Sequence, residues 1–461
     1  MKFYPDVLQV IGNTPLIQLK KVMPENSARV FAKAEFLNPS GSVKDRMALY
    51  IIEKAEKEGL LKPGGTIVEN TSGNTGAAVA MVAALKGYKA IFTMPDKMST
   101  EKINLLKAFG AKVIVTPTNV PADSPLSYYE TAKRIARETP NSFYLNQYHN
   151  PLNIEAHYHT TGPEIWEQSQ GELDYLVAGI GTGGTLSGVG KYLKEKNPKI
   201  KIIAVDPIGS VFYQYFKTRK LPQPHVYKVE GIGEDMLTGA MDFSVVDEIY
   251  QVNDQQSFLM ARKLTRQEGL FVGGSSGSAA HVAIELAKKV GKDKIIVVIL
   301  PDSGTRYLSK IYSDEWMRDN GFLLEEKIPS GIGKIKDVIK AQKKLVTAQK
   351  KDKVEQVISK MKRYDISQLP VLDGRKVVGL IAEVDLLKYM LDGKRKPKDT
   401  LANLIETDFI RVSLNSSITD VSQLLSSANS NAALVMEKDK LLGIVTKIDI
   451  VDFLAKKFRG S

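Results

Sequence analysis

Three short segments hold residue types able to do chemistry together. In the first, Asn38-Pro39-Ser40-Gly41-Ser42-Val43-Lys44-Asp45-Arg46, turn residues end an extended stretch and a helix opens near Ser42. A cation in the first turn of a helix opposes the helix dipole. Alone, the segment reads as an ordinary surface lysine. The chemistry that tolerates a lysine there is imine formation with an aldehyde, because the nitrogen is then covalently held and its charge is shared.

The second segment, Asn70-Thr71-Ser72-Gly73-Asn74-Thr75-Gly76, lies between a strand and a helix expected over 77–85. Backbone N–H groups at such a helix start, with hydroxyls and an amide beside them, can take a carboxylate. The competing reading is a capped helix with turn glycines. The third, Gly181-Thr182-Gly183-Gly184-Thr185, follows a strand and precedes a helix expected over 186–193, an arrangement that admits a phosphate. Gly179, Gly181 and Gly184 also spell G-x-G-x-x-G, and Asp206 ends the next strand, so a dinucleotide site competes. That alternative leaves the first two segments unexplained. A lysine, a carboxylate site and a phosphate cradle are together what pyridoxal 5′-phosphate (PLP) requires. A fourth element, Val272-Gly273-Gly274-Ser275-Ser276-Gly277-Ser278, reads as a glycine turn with an N-cap serine.

The elements that must position these loops are also legible. Short apolar strands at 66–69, 90–94, 112–116, 175–178, 201–205 and 294–300 alternate with helical stretches, and several run straight into glycine-rich turns. That pattern predicts an α/β, doubly wound region with parallel sheets. After Trp316 the texture changes. A linker is expected over 324–334, and beyond it lies an internal repeat in which residues 377–390 align with 441–454 at a constant offset of 64. Each copy reads as a strand, a turn and an amphipathic helix. The expected organisation is a catalytic region over 1–323, the linker, and α+β repeat copies over 335–392 and 400–461, parted by the basic segment 392–399.

Composition narrows the classes. A length of 461 residues implies two or three domains, and 43% hydrophobic residues suffice for a sizeable core. With no cysteine, disulfides, thiolate metal sites and a cysteine nucleophile are excluded. No apolar run reaches the length of a membrane span and the N-terminus has no secretory pattern, so a cytoplasmic protein is expected. Residues 321–461 carry 26 Lys/Arg against 18 Asp/Glu, a net +8 of the total +12. These lysines are scattered without interleaved aromatics, which favours a solvated face or a small anionic ligand over nucleic acid. His157 and His159 lack a third ligand nearby, so no metal site is expected.

The catalytic segments together resemble the fold-type II PLP enzymes, the cysteine synthase/cystathionine β-synthase family. Gly12-Asn13-Thr14-Pro15-Leu16, Ser42-Val43-Lys44-Asp45-Arg46, the 71–76 and 181–185 loops and Leu300-Pro301-Asp302-Ser303 are shared across it. Met94-Pro95-Asp96-Lys97-Met98-Ser99, Thr116-Pro117-Thr118-Asn119, Asp123-Ser124-Pro125, Ala156-His157-Tyr158, Glu230-Gly231-Ile232-Gly233 and Ser313-Asp314-Glu315-Trp316-Met317 look like the cystathionine β-synthase branch. The repeat resembles a pair of CBS domains, the Bateman module.

The resemblance implies roles. Lys44 would hold PLP as a Schiff base and act as acid and base. Asn74 would bond the cofactor's phenolic oxygen, Gly181, Thr182, Gly183, Gly184 and Thr185 its phosphate, and Ser275 its pyridine nitrogen. Thr71, Ser72, Thr75 and Gln147 would bind the substrate carboxylate, with Gly231 and Glu234 beside the substrate. The implied reaction condenses serine with homocysteine to cystathionine, and releases hydrogen sulfide when cysteine replaces serine. The alternatives are a cysteine synthase using O-acetylserine and sulfide, and a nucleotide-sensing module on a degenerate enzyme. No haem is expected, because the catalytic pattern starts almost at Met1 without cysteine. Glu234 stands where eukaryotic relatives usually have tyrosine, which leaves the second substrate open. An adenosyl ligand (S-adenosylmethionine, AMP or ATP) is expected at Thr446 and Asp449 rather than at Asp385, whose copy has Ala382 in place of the threonine. A homo-oligomer, dimeric or higher, is implied by the family.

Overall fold

The computed structural model describes all residues except 2, 72, 97, 99, 119, 122, 324–332, 340–344, 392–395, 428–429 and 459–461. The chain divides into two units, Met1–Leu323 and Leu324–Ser461.

The first unit contains two sheets. β1 (Leu16–Gln18) and β2 (Arg29–Ala34) begin the larger one, and the chain then leaves to build a second sheet from β3 (Thr66–Asn70), β4 (Lys89–Pro95), β5 (Lys112–Thr116) and β6 (Ser142–Tyr144). It returns with β7 (Tyr175–Gly179), β8 (Lys201–Pro207), β9 (Glu248–Val252) and β10 (Ile295–Leu300). The smaller sheet runs β5-β4-β3-β6 and is parallel throughout; the larger runs β1-β2-β10-β7-β8-β9 and is parallel except at the β1–β2 edge. Parallel strands covered on both faces need continuous apolar runs. β10, Ile-Ile-Val-Val-Ile-Leu, is buried at every position.

The glycine loops differ from expectation in one respect. Helices start at Lys44, Asn74 and Gly184, so the loop residues Asn74, Thr75, Gly184 and Thr185 already belong to first turns. Their N–H groups have no intrahelical partner and point out of the helix start. The predicted N-cap serine at 275–278 is not there. The helix Gly274–Ala287 is capped by Gly273 in extended backbone without a side-chain bond, and all three serines lie buried inside it. Ser278 instead bonds the Gly274 carbonyl and the Ser257 hydroxyl, at 3.2 and 2.7 Å, so its oxygen needs no terminal N–H.

The second unit repeats itself at the offset seen in the sequence. β11 (Ala348–Gln349), β12 (Gln368–Asp373) and β13 (Lys376–Ala382) form one sheet; β14 (Ile410–Val412), β15 (Ala432–Glu437) and β16 (Lys440–Thr446) form the other. Even the irregularity repeats, between Val371 and Leu372 in one copy and Val435 and Met436 in the other. No turn separates the last strand of either copy from its helix: Glu383 and Lys447 begin helices directly after Ala382 and Thr446. The turn precedes that strand, in the β12–β13 and β15–β16 hairpins. Most of the expected linker lies outside the described residues, but its last residue, Lys334, already pairs with Ser417, and Ile335 and Val338 enter the apolar cluster of the second copy. Among the described residues no helix is long and apolar enough to cross a membrane.

Candidate active site

The loops following β2, β3, β7 and β10 open on one cavity of about 750 Å³, where Lys44, Thr71, Asn74, Gly181, Glu234 and Ser275 meet. Carboxyl ends of parallel strands are where open α/β sheets bind ligands. Lys44 is the first residue of the helix Lys44–Lys57, and its N–H bonds Ser42 Oγ at 3.3 Å. Burial lowers the pKa of its amine, against the charges of Asp302 and Glu234, which raise it. The net shift is downward, toward the nucleophilic neutral form of the amine.

A buried ionic network fixes the start of that helix. Arg46 reaches Glu35 through Nε and Nη2 at 2.7 and 2.8 Å, and Glu164 through Nη1 and Nη2 at 2.7 and 2.6 Å. Lys33 adds a 2.8 Å bond to Glu164. Burial raises the Glu164 carboxyl, but the hydrogen bonds and charges of Arg46 and Lys33 outweigh it and bring the pKa down to about 2.

Thr71, Thr75 and Gln147, expected to bind a carboxylate, all line the cavity; Ser72 lies outside the described residues. Thr71 Oγ1 accepts from the N–H groups of Gly73 and Gly76, both at 3.1 Å, and Thr75 Oγ1 donates to Gln147 Oε1 at 2.6 Å. Gln147 is carried on a loop tied to Glu69, whose carboxylate accepts from the backbone of Asn146 at 2.7 Å. Burial pushes the Glu69 carboxyl up to about 8, against those backbone bonds.

At the 181–185 loop the glycines leave no room for side chains. A Cβ on Gly183, whose φ is +88°, would fall 2.6 Å from Met241 Cα, and one on Gly184 2.2 Å from Asn153 Oδ1. Asn153 Nδ2 holds the loop through Thr182 Oγ1 at 3.0 Å. His157, which the metal argument had set aside, backs Thr185: Nε2 lies 3.1 Å from Thr185 Oγ1 and Nδ1 2.9 Å from Thr161 Oγ1. Burial first, then the charges of Lys44 and Arg46, hold it neutral. An amine, first-turn N–H groups and hydroxyls beside tight glycines, the Asn74 amide and the Ser275 hydroxyl form a donor set that fits PLP.

Several groups at the cavity were not read from the sequence. Tyr128, Tyr129 and Tyr148 cluster beside Glu234, Tyr128 and Tyr129 tilted with ring centroids 4.0 Å apart and Tyr129 and Tyr148 edge to face at 6.0 Å. Burial and the Glu234 charge push all three phenols up, so they stay protonated donors. Glu230 binds Lys102 and, at 2.6 Å, Lys310, joining the helix Thr100–Ala108 to the far wall. Asp302 bonds Asn74, whose partner is 228 residues away in the chain. The run Leu300-Pro301-Asp302-Ser303 was the signal that could have exposed it.

In the second unit the expected ligand residues have local work. Asp449 Oδ2 accepts from Thr446 Oγ1 and N at 2.5 and 2.8 Å, and Asp385 accepts from the Ala382 N–H at 3.2 Å. Both close the strand-to-helix junction. A cavity of about 620 Å³ lies against Ile358, Met361, Ser367, Glu383 and Leu386 of the first copy; Asp385, Thr446 and Asp449 do not line it. Among the described residues no three His, Asp or Glu gather as a metal site.

The pattern of the pyridoxal-phosphate dependent enzymes matches residues 7–302, and that of the CBS domain matches 335–392 and 401–456. The chain is 41% identical to the cystathionine beta-synthase of Apis mellifera and 39% to that of Mus musculus, over 99% of its own length and 92% and 86% of theirs. A cysteine synthase of Staphylococcus aureus is 46% identical over 305 residues, which are 66% of this chain and 95% of that protein. The chain belongs to the cystathionine beta-synthase family of pyridoxal-phosphate dependent enzymes.

Proposed function

We propose that this chain condenses L-serine with L-homocysteine, giving cystathionine and water, and that cysteine in place of serine releases hydrogen sulfide. The observation that carries the reading is the meeting of Lys44, Asn74, the Thr75–Gln147 pair and, from the 181–185 loop, Gly181 and Thr182 on one cavity. Near-full-length likeness to cystathionine beta-synthases supports it over the cysteine synthase alternative, whose likeness stops before the repeat.

When bound, PLP supplies the electron sink that makes the Cα proton of an amino acid removable. The first-turn N–H groups and hydroxyls of 181–185 would hold its phosphate, Asn74 its ring oxygen, and the neutral Ser275 hydroxyl its ring nitrogen. Thr71, Ser72, Thr75 and Gln147 would fix the substrate carboxylate, which orients the Cα–H bond. The Lys44 amine, its pKa lowered by burial, takes the Cα proton and passes it to the departing hydroxyl at Cβ, which leaves as water; it then takes the proton of the thiol as sulfur bonds Cβ, and delivers that proton to Cα. Glu234 and its tyrosines form the wall that meets the incoming thiol.

The reading includes a haem-free homo-oligomer working in the cytoplasm, with an adenosyl ligand on the second repeat copy at Thr446 and Asp449. Initial rates with serine plus homocysteine and with O-acetylserine plus sulfide test the substrate assignment. The first pair should turn over at least about tenfold faster, equivalent to about 1.4 kcal/mol of barrier; reaction of the second pair alone contradicts it.

A further inference from the structure

We propose that Asp302 is a positioning residue for the cofactor: it fixes the side-chain amide of Asn74 so that one N–H of that amide faces the cavity. The inference rests on the reading of Asn74 as partner of the cofactor's ring oxygen and takes it one residue further back.

Asp302 lies just past β10 and is fully buried. Its Oδ2 accepts from Asn74 Nδ2 at 2.8 Å and from the Tyr307 hydroxyl at 2.6 Å. On the other side of the same amide, Arg306 Nη1 donates to Asn74 Oδ1 at 2.6 Å, while its Nη2 donates to the Ser40 carbonyl in the turn that leads to Lys44. Rotating an amide by half a turn exchanges donor and acceptor without changing its shape. Here that rotation would turn the NH₂ toward a guanidinium and the carbonyl oxygen toward a carboxylate. Both neighbours therefore select one orientation. The nitrogen has two protons, of which Asp302 takes one, and the other remains for the cavity that Asn74 lines.

Asp302 is itself held rigidly. Its carbonyl accepts from Gly273 N at 3.0 Å, its backbone bridges to Ser42, and a Cβ on Gly273 would fall 2.1 Å from its Oδ1. One buried residue thus ties together, through its backbone and its carboxylate, the loops that carry Lys44, Asn74 and Ser275. Among the described residues its Oδ1 has no hydrogen-bond partner. A buried polar atom left so costs stability, and such atoms persist where they have another use.

Titration of the cofactor-free protein with PLP, followed by absorbance, tests this in four proteins: wild type, Asn74→Ala, Asp302→Ala and the double variant. Each single substitution should weaken binding by about tenfold, the worth of one hydrogen bond to a charged group, and shift the bound cofactor's absorbance in the same sense. In the Asn74→Ala background, Asp302→Ala should change affinity by less than about twofold. Asp302→Asn keeps the shape and an acceptor, should show a smaller loss of the same kind, and replaces the alanine variant if that does not fold. Equal losses in both backgrounds, or no loss from Asp302→Ala in a folded protein, overturn the proposal. Unchanged affinity in Asn74→Ala alone instead overturns the reading of Asn74 on which it stands.

Discussion

The two units handle polar groups in opposite ways. Met1–Leu323 buries Lys33, Glu35, Asp45, Arg46, Glu69, Asp206 and Asp302, whereas among the described residues of Leu324–Ser461 no polar or charged side chain is buried. The buried side chains of the second unit's two main clusters are Val, Leu, Ile, Ala, Met and Tyr. Burying a charge is expensive unless it is paired and hydrogen-bonded. The first unit bears that cost where geometry must be held: at the start of the Lys44 helix, under Gln147 and behind Asn74. The second unit leaves its described charged residues exposed or half-buried, and Asp385, Thr446 and Asp449 serve local capping. Catalytic geometry and ligand response should therefore fail separately.

The largest expected effect is on the ionic network. Glu164→Gln leaves Arg46 and Lys33 buried beside a neutral amide, and should cost roughly 3 kcal/mol of unfolding free energy at pH 7. The pH dependence identifies the cause. A carboxyl brought down to about 2 from the ordinary 4.5 contributes stability above pH 4.5 that is lost as pH falls through 4.5 toward 2. Wild type should therefore lose its advantage over the variant in that window, measured by urea unfolding between pH 2 and 7; a constant difference would contradict the assignment.

Next come two equally tight glycines, one in each unit. A Cβ on Gly184 meets Asn153 Oδ1 at 2.2 Å and one on Gly379 meets the Glu406 carbonyl at 2.3 Å. Alanine at either should cost about 2 kcal/mol by overpacking. Only Gly184→Ala should also weaken PLP binding, by about tenfold or more, in the same absorbance titration. Equal cofactor affinity in the two variants would remove the 181–185 loop from the phosphate site.

The smallest effect is expected at the second repeat copy. Thr446→Ala removes both junction bonds of the hydroxyl, to Asp449 Oδ2 and from the Asp449 N–H, for a cost of about 1 kcal/mol, and should abolish the rise in melting temperature that S-adenosylmethionine or AMP gives wild type. Serine and homocysteine turnover without ligand should stay unchanged. A persisting ligand shift in Thr446→Ala would move the site elsewhere, and Asp385→Ala is the next variant to compare.

Much of this contrast was legible in the sequence. Strand–loop–helix order with glycines and hydroxyls at the loops pointed to Lys44, Asn74 and Gly181 to Thr185 as candidates, because a helix start is a local feature, and the structure brings Lys44, Asn74, Gly181 and Thr182 to one cavity. The repeat was legible for the same reason: side-chain period and glycine position recur at a fixed offset, and the structure reproduces them down to the strand irregularity. What escaped was non-local. Asp302 and Arg306 meet Asn74 across more than 200 residues, and His157 meets Thr185 only when two helices pack. The serine run at 275–278 misled because hydroxyls near glycines suggest a cap, whereas here Gly273, Gly274 and Gly277 serve close packing against Asp302, Phe258 and Ser257. Thr446 and Asp449 were read as ligand groups, yet their geometry already satisfies a junction, so their second use awaits the ligand titration.

Lys44 remains the pivot of the account. Borohydride reduction of the PLP-loaded protein, followed by peptide mapping, reads directly which nitrogen carries the cofactor. Modification at Lys44, with loss of turnover in proportion to its extent, is the predicted result. Modification at another lysine, with Lys44 intact, would contradict the assignment of the site.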